Sequence, residues 1–219
     1  KREARDQSWH QGETLLAGIG QGYVLTTPLQ LAVMTARLVN GGFAVSPQLT
    51  KSVSTTGVHA MPEHHEFPQI NVSQRNLALV RDAMTQVVNT PHGTAHASAI
   101  DDPRYIMGGK TGTVQVRRIT KAEREQGVVK NKDLPWEERD HALFVGFAPA
   151  ENPRYAVAVV VEHGGGGSSV AAPIARDILL TAQRRQSARD IPISQTSGSQ
   201  AALEMRGTED RVRPTPGQG

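Results

Sequence analysis

Apolar residues recur at helical spacing in three stretches of the chain and at strand spacing in three others. Leu31, Met34 and Leu38 fall on one helical face, with Ala32, Ala36 and Val39 on the next. A stripe this broad predicts a helix buried on most sides. Thr27 is placed to cap it, Pro28 at the first helical position wastes no donor, and Asn40-Gly41-Gly42 ends it. A second helix is expected from Ser73, carrying Leu77, Val80, Met84 and Val87 and stopping near Asn89-Thr90-Pro91. A third, capped by Ser168 or Ser169, carries Val170, Ile174, Ile178 and Leu179.

After Gly108-Gly109 the period changes to two. Thr111, Thr113, Gln115 and Arg117 alternate with Gly112, Val114 and Val116, which predicts a strand. The polar stretch from Arg118 to His141 is rich in Lys, Glu and Arg and reads as a solvated insertion over the rim of a site. Ala142 to Ala148 and Tyr155 to Glu162 are two further strands, joined by the turn-forming residues Pro149-Ala150-Glu151-Asn152-Pro153. Tyr155 to Val161 is apolar on both faces, as in a strand with helices above and below it. Such a strand wants a neighbour at each edge, and only one segment supplies one. The expected fold is therefore α+β, an antiparallel sheet with helices packed on both faces, incomplete in this chain.

Composition narrows the chemistry. The chain has 219 residues, 37% hydrophobic and 4% aromatic, enough to build the core of one domain. The absence of cysteine excludes disulfides, iron–sulfur clusters and cysteine-based zinc sites. A net charge of +3 is too small to predict a nucleic-acid partner. Residues 186–219 are rich in Ser, Gln, Gly, Pro and Arg and lack aromatics, so they read as a disordered tail behind a domain over 1–185. Lys1 is not preceded by Met and no apolar leader follows it; the expectation is that more of the protein lies upstream.

Gly109-Lys110-Thr111 invites comparison with a phosphate-binding loop. That motif needs a glycine at position 104, where Arg104 stands, and a helix after the Lys-Thr pair, where a strand is predicted. The remaining reading is an edge strand beside a site. Lys110 supplies a fixed positive charge, while the hydroxyls of Thr111 and Thr113, two residues apart, share a face and suit a carboxylate. Gly112 lets a ligand lie against the backbone, and the Thr113 N–H is a candidate donor to an oxyanion. His92 and His96 have metal-ligand spacing but sit in a Pro- and Gly-containing loop without the accompanying glutamate, so they read as surface residues, as do His64 and His65. Gly164 to Gly167 reads as a sharp strand-to-helix connection, and Arg184-Arg185 as a solvated helix end. No metal or cofactor is predicted.

Five short motifs occur in one order: Gly18-Ile19-Gly20-Gln21-Gly22-Tyr23 with Thr26 to Ala32; Gly93-Thr94-Ala95; Gly109 to Gln115; Phe147-Ala148-Pro149; and Glu162-His163-Gly164-Gly165. Together they resemble the class B penicillin-binding proteins. Trp9-His10-Gln11-Gly12-Glu13-Thr14, leading into the first motif, resembles the branch that serves cell elongation. The resemblance implies a penicillin-binding, serine β-lactamase-like transpeptidase fold. It also implies a parent enzyme that cross-links peptidoglycan stem peptides through a serine acyl-enzyme and is acylated by β-lactams. Lys110, Thr111 and Thr113 would hold the substrate carboxylate, Gln115 would line the same site, Gly112 would keep the strand open, and the Thr113 backbone would complete the oxyanion hole. Implied partners are stem peptides, β-lactams, the amino-terminal part of the same domain and elongation-machinery membrane proteins. The implied location is the periplasmic face of the bacterial inner membrane, with an anchor upstream. The family's Ser-x-x-Lys and Ser-x-Asn motifs do not occur in this chain. The chain alone is thus expected to be inactive. A second reading is a catalytically silent penicillin-binding-like sensor or binding module that keeps the same strand.

Overall fold

A computed structural model describes residues 9–20, 24–47, 68–117 and 119–190, with the side chains of 188–190 excepted. Tyr23, His64, His65, Arg118 and most of the predicted tail lie outside those residues. Helix α1 spans Gln11–Gly18, α2 Pro28–Val39 and α3 Gln74–Asn89. Strand β1 spans Gly108–Val114, followed by the short helix α4 (Lys121–Gln126), β2 (His141–Ala148) and β3 (Tyr155–Val161). A π-helical turn, Gly167–Ala171, leads into α5, Ala172–Asp190.

The helix starts follow the capping chemistry. The Thr27 hydroxyl accepts from the Gln30 N–H at 3.2 Å, while the Gln30 side chain accepts from the Thr27 N–H at 2.8 Å, a complete capping box. Ser73 caps α3 by accepting from Asn76 N–H. The Asn40 side chain accepts from the N–H groups of Gly42 and Phe43. Gly41 and Gly42 then turn the chain at φ values of 92° and 91°, which glycine adopts without strain.

The three strands form one antiparallel sheet in the order β1-β2-β3, with Thr111 opposite Phe144 and Phe144 opposite Val159. Among the described residues, no strand pairs with the outer edge of β1 or of β3. Alternation sends Phe144 and Phe147 to opposite faces of β2. Phe144 joins Ala171, Ala172, Ala175 and Leu179 under α5, and Phe147 joins Val39 of α2 and Met84 of α3. Both rings are fully buried, and each lies over a glycine of β1. A Cβ on Gly108 would stand 2.4 Å from Phe147 Cζ, and one on Gly109 would stand 2.2 Å from Phe144 Cζ. Gly146, opposite Gly109, gives the Phe144 ring the same clearance on β2.

Several expectations need correction. The sequence places the first strand after Gly108-Gly109, but the glycine pair lies inside it, because the rings replace the side chains the pair lacks. The α2 helix is not buried on most sides. Only Thr35 and Val39 are buried, while Leu29 (58%) and Met34 (44%) stay exposed, because no described element crosses its outer face. The last helix is not capped by Ser168 or Ser169. Gly166 precedes the π-helical turn, and the Ser169 hydroxyl donates back to its carbonyl at 3.3 Å. That helix also runs past Arg185 to Asp190, and Arg184 lies 6.0 Å from the Tyr105 ring centroid.

Replacing Gly109 with Ala is expected to lower stability by about 3 kcal/mol, because the new methyl collides with a buried ring and with the Val145 carbonyl. Gly12→Ala, on exposed α1 with nothing within 4 Å, should be neutral or gain up to about 1 kcal/mol. Denaturant midpoints of the two variants measure the contrast.

Candidate active site

The β1 strand is where the two cores and the open sheet edge meet. Its first two residues are pinned between Phe147 and Phe144, and its next four, Lys110 to Thr113, run along the edge towards solvent. Lys110 is exposed, and its Nζ donates to the Thr111 carbonyl at 2.8 Å and to Thr111 Oγ1 at 3.3 Å. Strand alternation starts Lys110 and Thr111 on opposite faces. The ammonium nevertheless reaches the Thr111 hydroxyl around the unpaired edge. The result is a positive charge and a hydroxyl side by side on a strand whose outer backbone carries no partner strand among the described residues. Such a pair suits an anionic, acceptor-only group such as a carboxylate.

Two other segments shape this edge. Gly93 presses the turn after α3 onto that helix, where a Cβ would lie 2.2 Å from the Val87 carbonyl oxygen. The turn brings Thr94 Oγ1 to 3.1 Å from Thr111 Oγ1. On the far side the π-helical turn abuts the middle of β1. A Cβ on Gly167 would stand 2.4 Å from both Gly112 O and Leu143 O. Gly112 itself sits across from Leu143, whose Cβ would be 3.2 Å from an added methyl. Thr113 is exposed on the strand, and Gln115 lies just beyond its end, so the structure brings Lys110, Thr111, Gly112 and Thr113 onto one edge with Gln115 beside them.

Residues 119–140 stay mostly exposed, as a solvated insertion would, and carry a set of local hydrogen bonds. Thr120 caps α4 by accepting from Glu123 N–H at 3.2 Å. The Arg117 guanidinium grips both oxygens of Glu123, with Nη1 to Oε2 at 2.9 Å. That hydrogen-bonded pairing holds the Glu123 carboxyl below its usual range and raises Arg117 above its own. Asn131 and Asp140 clasp each other through two hydrogen bonds of 2.9 and 2.8 Å. The Asp140 carboxylate also accepts from Val116 N–H at 3.4 Å, and its carbonyl accepts from Gly165 N–H at 2.8 Å. His163, at φ 56°, donates its N–H to His141 Nδ1 at 2.9 Å and packs its ring 4.4 Å from that of Trp136. The insertion is thereby tied to the end of β1 and to the glycine turn. Gln115, Ile119, Lys121 and Arg124 line a shallow pocket of about 330 Å³ where it leaves the strand.

Of the other sequence candidates, His92 and His96 are exposed in the turns after α3. Among the described residues no cluster of three or more His, Cys, Asp or Glu is placed to hold a metal ion. Sequence reasoning gave Thr94 no role, and nothing in the spacing of positions 94 and 111 signals their contact. The one hint is Gly93, whose need for close approach marks the turn as fixed.

Comparison with known proteins places this edge in context. Residues 2–180 match the penicillin binding protein transpeptidase domain. A peptidoglycan D,D-transpeptidase from Haemophilus influenzae, MrdA, is 37% identical over 180 residues, covering 82% of this chain and 27% of the relative. The chain therefore spans about a quarter of that relative's length. Pseudomonas aeruginosa PBP2, solved in complex with WCK 5153, superposes with a TM-score of 0.62 at 42% identity, covering 82% of this chain and 34% of that one. Helicobacter pylori PBP2, solved in complex with MreC, superposes with a TM-score of 0.56 at 28% identity, covering 78% and 27%.

The Arg117–Glu123 pair carries a pH signature. A carboxylate whose folded pKa is lowered contributes stability that is present above its ordinary value of 4.5 and lost as pH falls through the folded one. Amide protection across 119–126, corrected for intrinsic exchange, should hold steady at neutral pH and decline on acidification below 4.5. In Glu123→Gln that dependence should flatten.

Proposed function

Because the chain belongs to the penicillin-binding protein transpeptidase family, we propose that it supplies the Lys110–Thr113 strand of a serine D,D-transpeptidase of the elongation type, which cross-links peptidoglycan stem peptides. The observation that carries this reading is the Lys110 ammonium beside the Thr111 hydroxyl on an unpaired sheet edge. Stem peptides and β-lactams both present a carboxylate next to the reacting carbonyl. Lys110, Thr111 and Thr113 hold that carboxylate, and the ligand lies along β1 over Gly112. The Thr113 N–H then faces the carbonyl oxygen as negative charge develops on it.

The nucleophilic serine and its activating base come from sequence outside this chain, which contains neither Ser-x-x-Lys nor Ser-x-Asn. Serine attack forms an ester to the penultimate residue and expels the terminal one with a proton. An acceptor amine then displaces the serine and restores its hydroxyl. Each step builds charge on the same carbonyl oxygen, so one donor edge serves both. The reading carries with it the periplasmic face of the inner membrane as the site of action. Among the described residues no helix is long and apolar enough to cross a membrane. The Helicobacter pylori relative was solved with MreC, which supports elongation-machinery proteins as partners of the whole protein.

Labelling with a fluorescent penicillin tests the proposal. The intact protein should take up covalent label, Lys110→Ala should label roughly 10²-fold more slowly, and this chain alone should not label. A catalytically silent binding module predicts no label on the intact protein, and stable acylation of this chain alone contradicts the assignment of the nucleophile.

A further inference from the structure

The turn after α3 is fixed from both sides. Gly93 N–H donates to Thr90 O at 2.9 Å, Ala95 N–H to Val87 O at 3.0 Å, and Ala95 itself is buried. Asn89 Nδ2 meanwhile donates to Met107 O at 2.9 Å, tying the end of α3 to the residue before β1. Between these anchors, Thr94 extends its hydroxyl to that of Thr111, 17 positions away in sequence.

A hydroxyl has one proton to give and two lone pairs to fill. The Lys110 ammonium can only donate, and it already faces Thr111 Oγ1 at 3.3 Å. An incoming carboxylate can only accept. For Thr111 to give its proton to the carboxylate, the hydroxyl of Thr94 must be the donor across the 3.1 Å contact. Were the direction reversed, the Thr111 proton would point at Thr94 and away from the ligand.

From this geometry we infer that Thr94 is a positioning residue of the carboxylate site: its hydroxyl donates to Thr111 Oγ1 and thereby turns the Thr111 proton towards the substrate. The inference rests on the transpeptidase reading of β1. It identifies a role for Gly93-Thr94-Ala95 that no chemistry assigned to β1 itself requires. Thr94 touches no reacting atom, and its effect passes entirely through Thr111.

The test is the second-order rate of acylation of the intact protein by fluorescent penicillin, in Thr94→Val, Thr94→Ser and each combined with Thr111→Val. Valine keeps the shape of threonine and removes the hydroxyl. Thr94→Val should acylate about fivefold to tenfold more slowly, in line with one lost neutral hydrogen bond. Thr94→Ser should stay within about twofold of the parent, since the donor is restored. In the Thr111→Val background, Thr94→Val should add no further loss, because the group it orients is gone. Equal rates for the parent and Thr94→Val overturn the inference. So does a Thr94→Ser variant as slow as Thr94→Val, or a full additional loss in the Thr111→Val background, since each points to turn shape rather than the hydroxyl. Absence of label on the parent itself refutes the transpeptidase reading and, with it, this role.

Discussion

Phe144 and Phe147 lie on opposite faces of the central strand, and each ring fills the space where the neighbouring strand has no side chain. Gly109 and Gly146 make a floor for one ring, and Gly108 makes the floor for the other. Full burial of each ring stabilises by about 1.5–3 kcal/mol, and neither could be buried over any residue larger than glycine. The two rings therefore do more than fill two cores. They clamp the first two residues of β1 from above and below, and so fix where Lys110 and the residues after it emerge on the sheet edge. The glycines that precede the lysine are a packing requirement of β1, and Lys110-Thr111 continue that strand instead of opening the helix a phosphate loop needs.

A second set of constraints holds the other end of that strand. Gly167 lets the π-helical turn touch the backbone of Gly112 and Leu143, and His163 takes a left-handed φ of 56° so that its N–H reaches His141. Asp140 then links the insertion to both Val116 and Gly165. Strand, glycine turn and insertion thus behave as one support, built from close backbone approach and a few half-buried polar contacts rather than from a large apolar interface. The candidate site lies at an edge because no described strand covers β1, and on the proposed reading a substrate laid along it gains backbone as well as side-chain partners.

Much of this was legible in the residues. The Thr27 cap, the Ser73 start, the end of α3 at Asn89 and the hairpin through 149–153 all follow local rules, and local rules survive without knowledge of the rest of the fold. The apolar β3 read correctly as a strand with helices on both faces, since α2 and α5 both pack on it, and among the described residues no strand pairs with its outer edge. What failed depended on tertiary contacts. Glycines 108 and 109 carry no side-chain alternation, so they fall outside the strand until the rings above and below them are known. The breadth of the α2 stripe says which residues are apolar and not which are covered, so Met34, expected inside, stays exposed. The Thr94–Thr111 contact joins two loci with no shared periodicity. The pairs Arg117–Glu123 and Asn131–Asp140, which tie the solvated insertion down, have spacings that match no helical or strand rule and so could not be read either.

On the proposed reading, the edge formed by Lys110, Thr111 and Thr113 holds the carboxylate of the acylating ligand. A crystal structure of the intact protein acylated by a β-lactam tests it most directly. That carboxylate should lie within hydrogen-bond distance of the hydroxyls of Thr111 and Thr113 and beside the Lys110 ammonium, with the Thr94–Thr111 contact retained. A carboxylate bound elsewhere, with Thr111 still turned only to its neighbours, would contradict it.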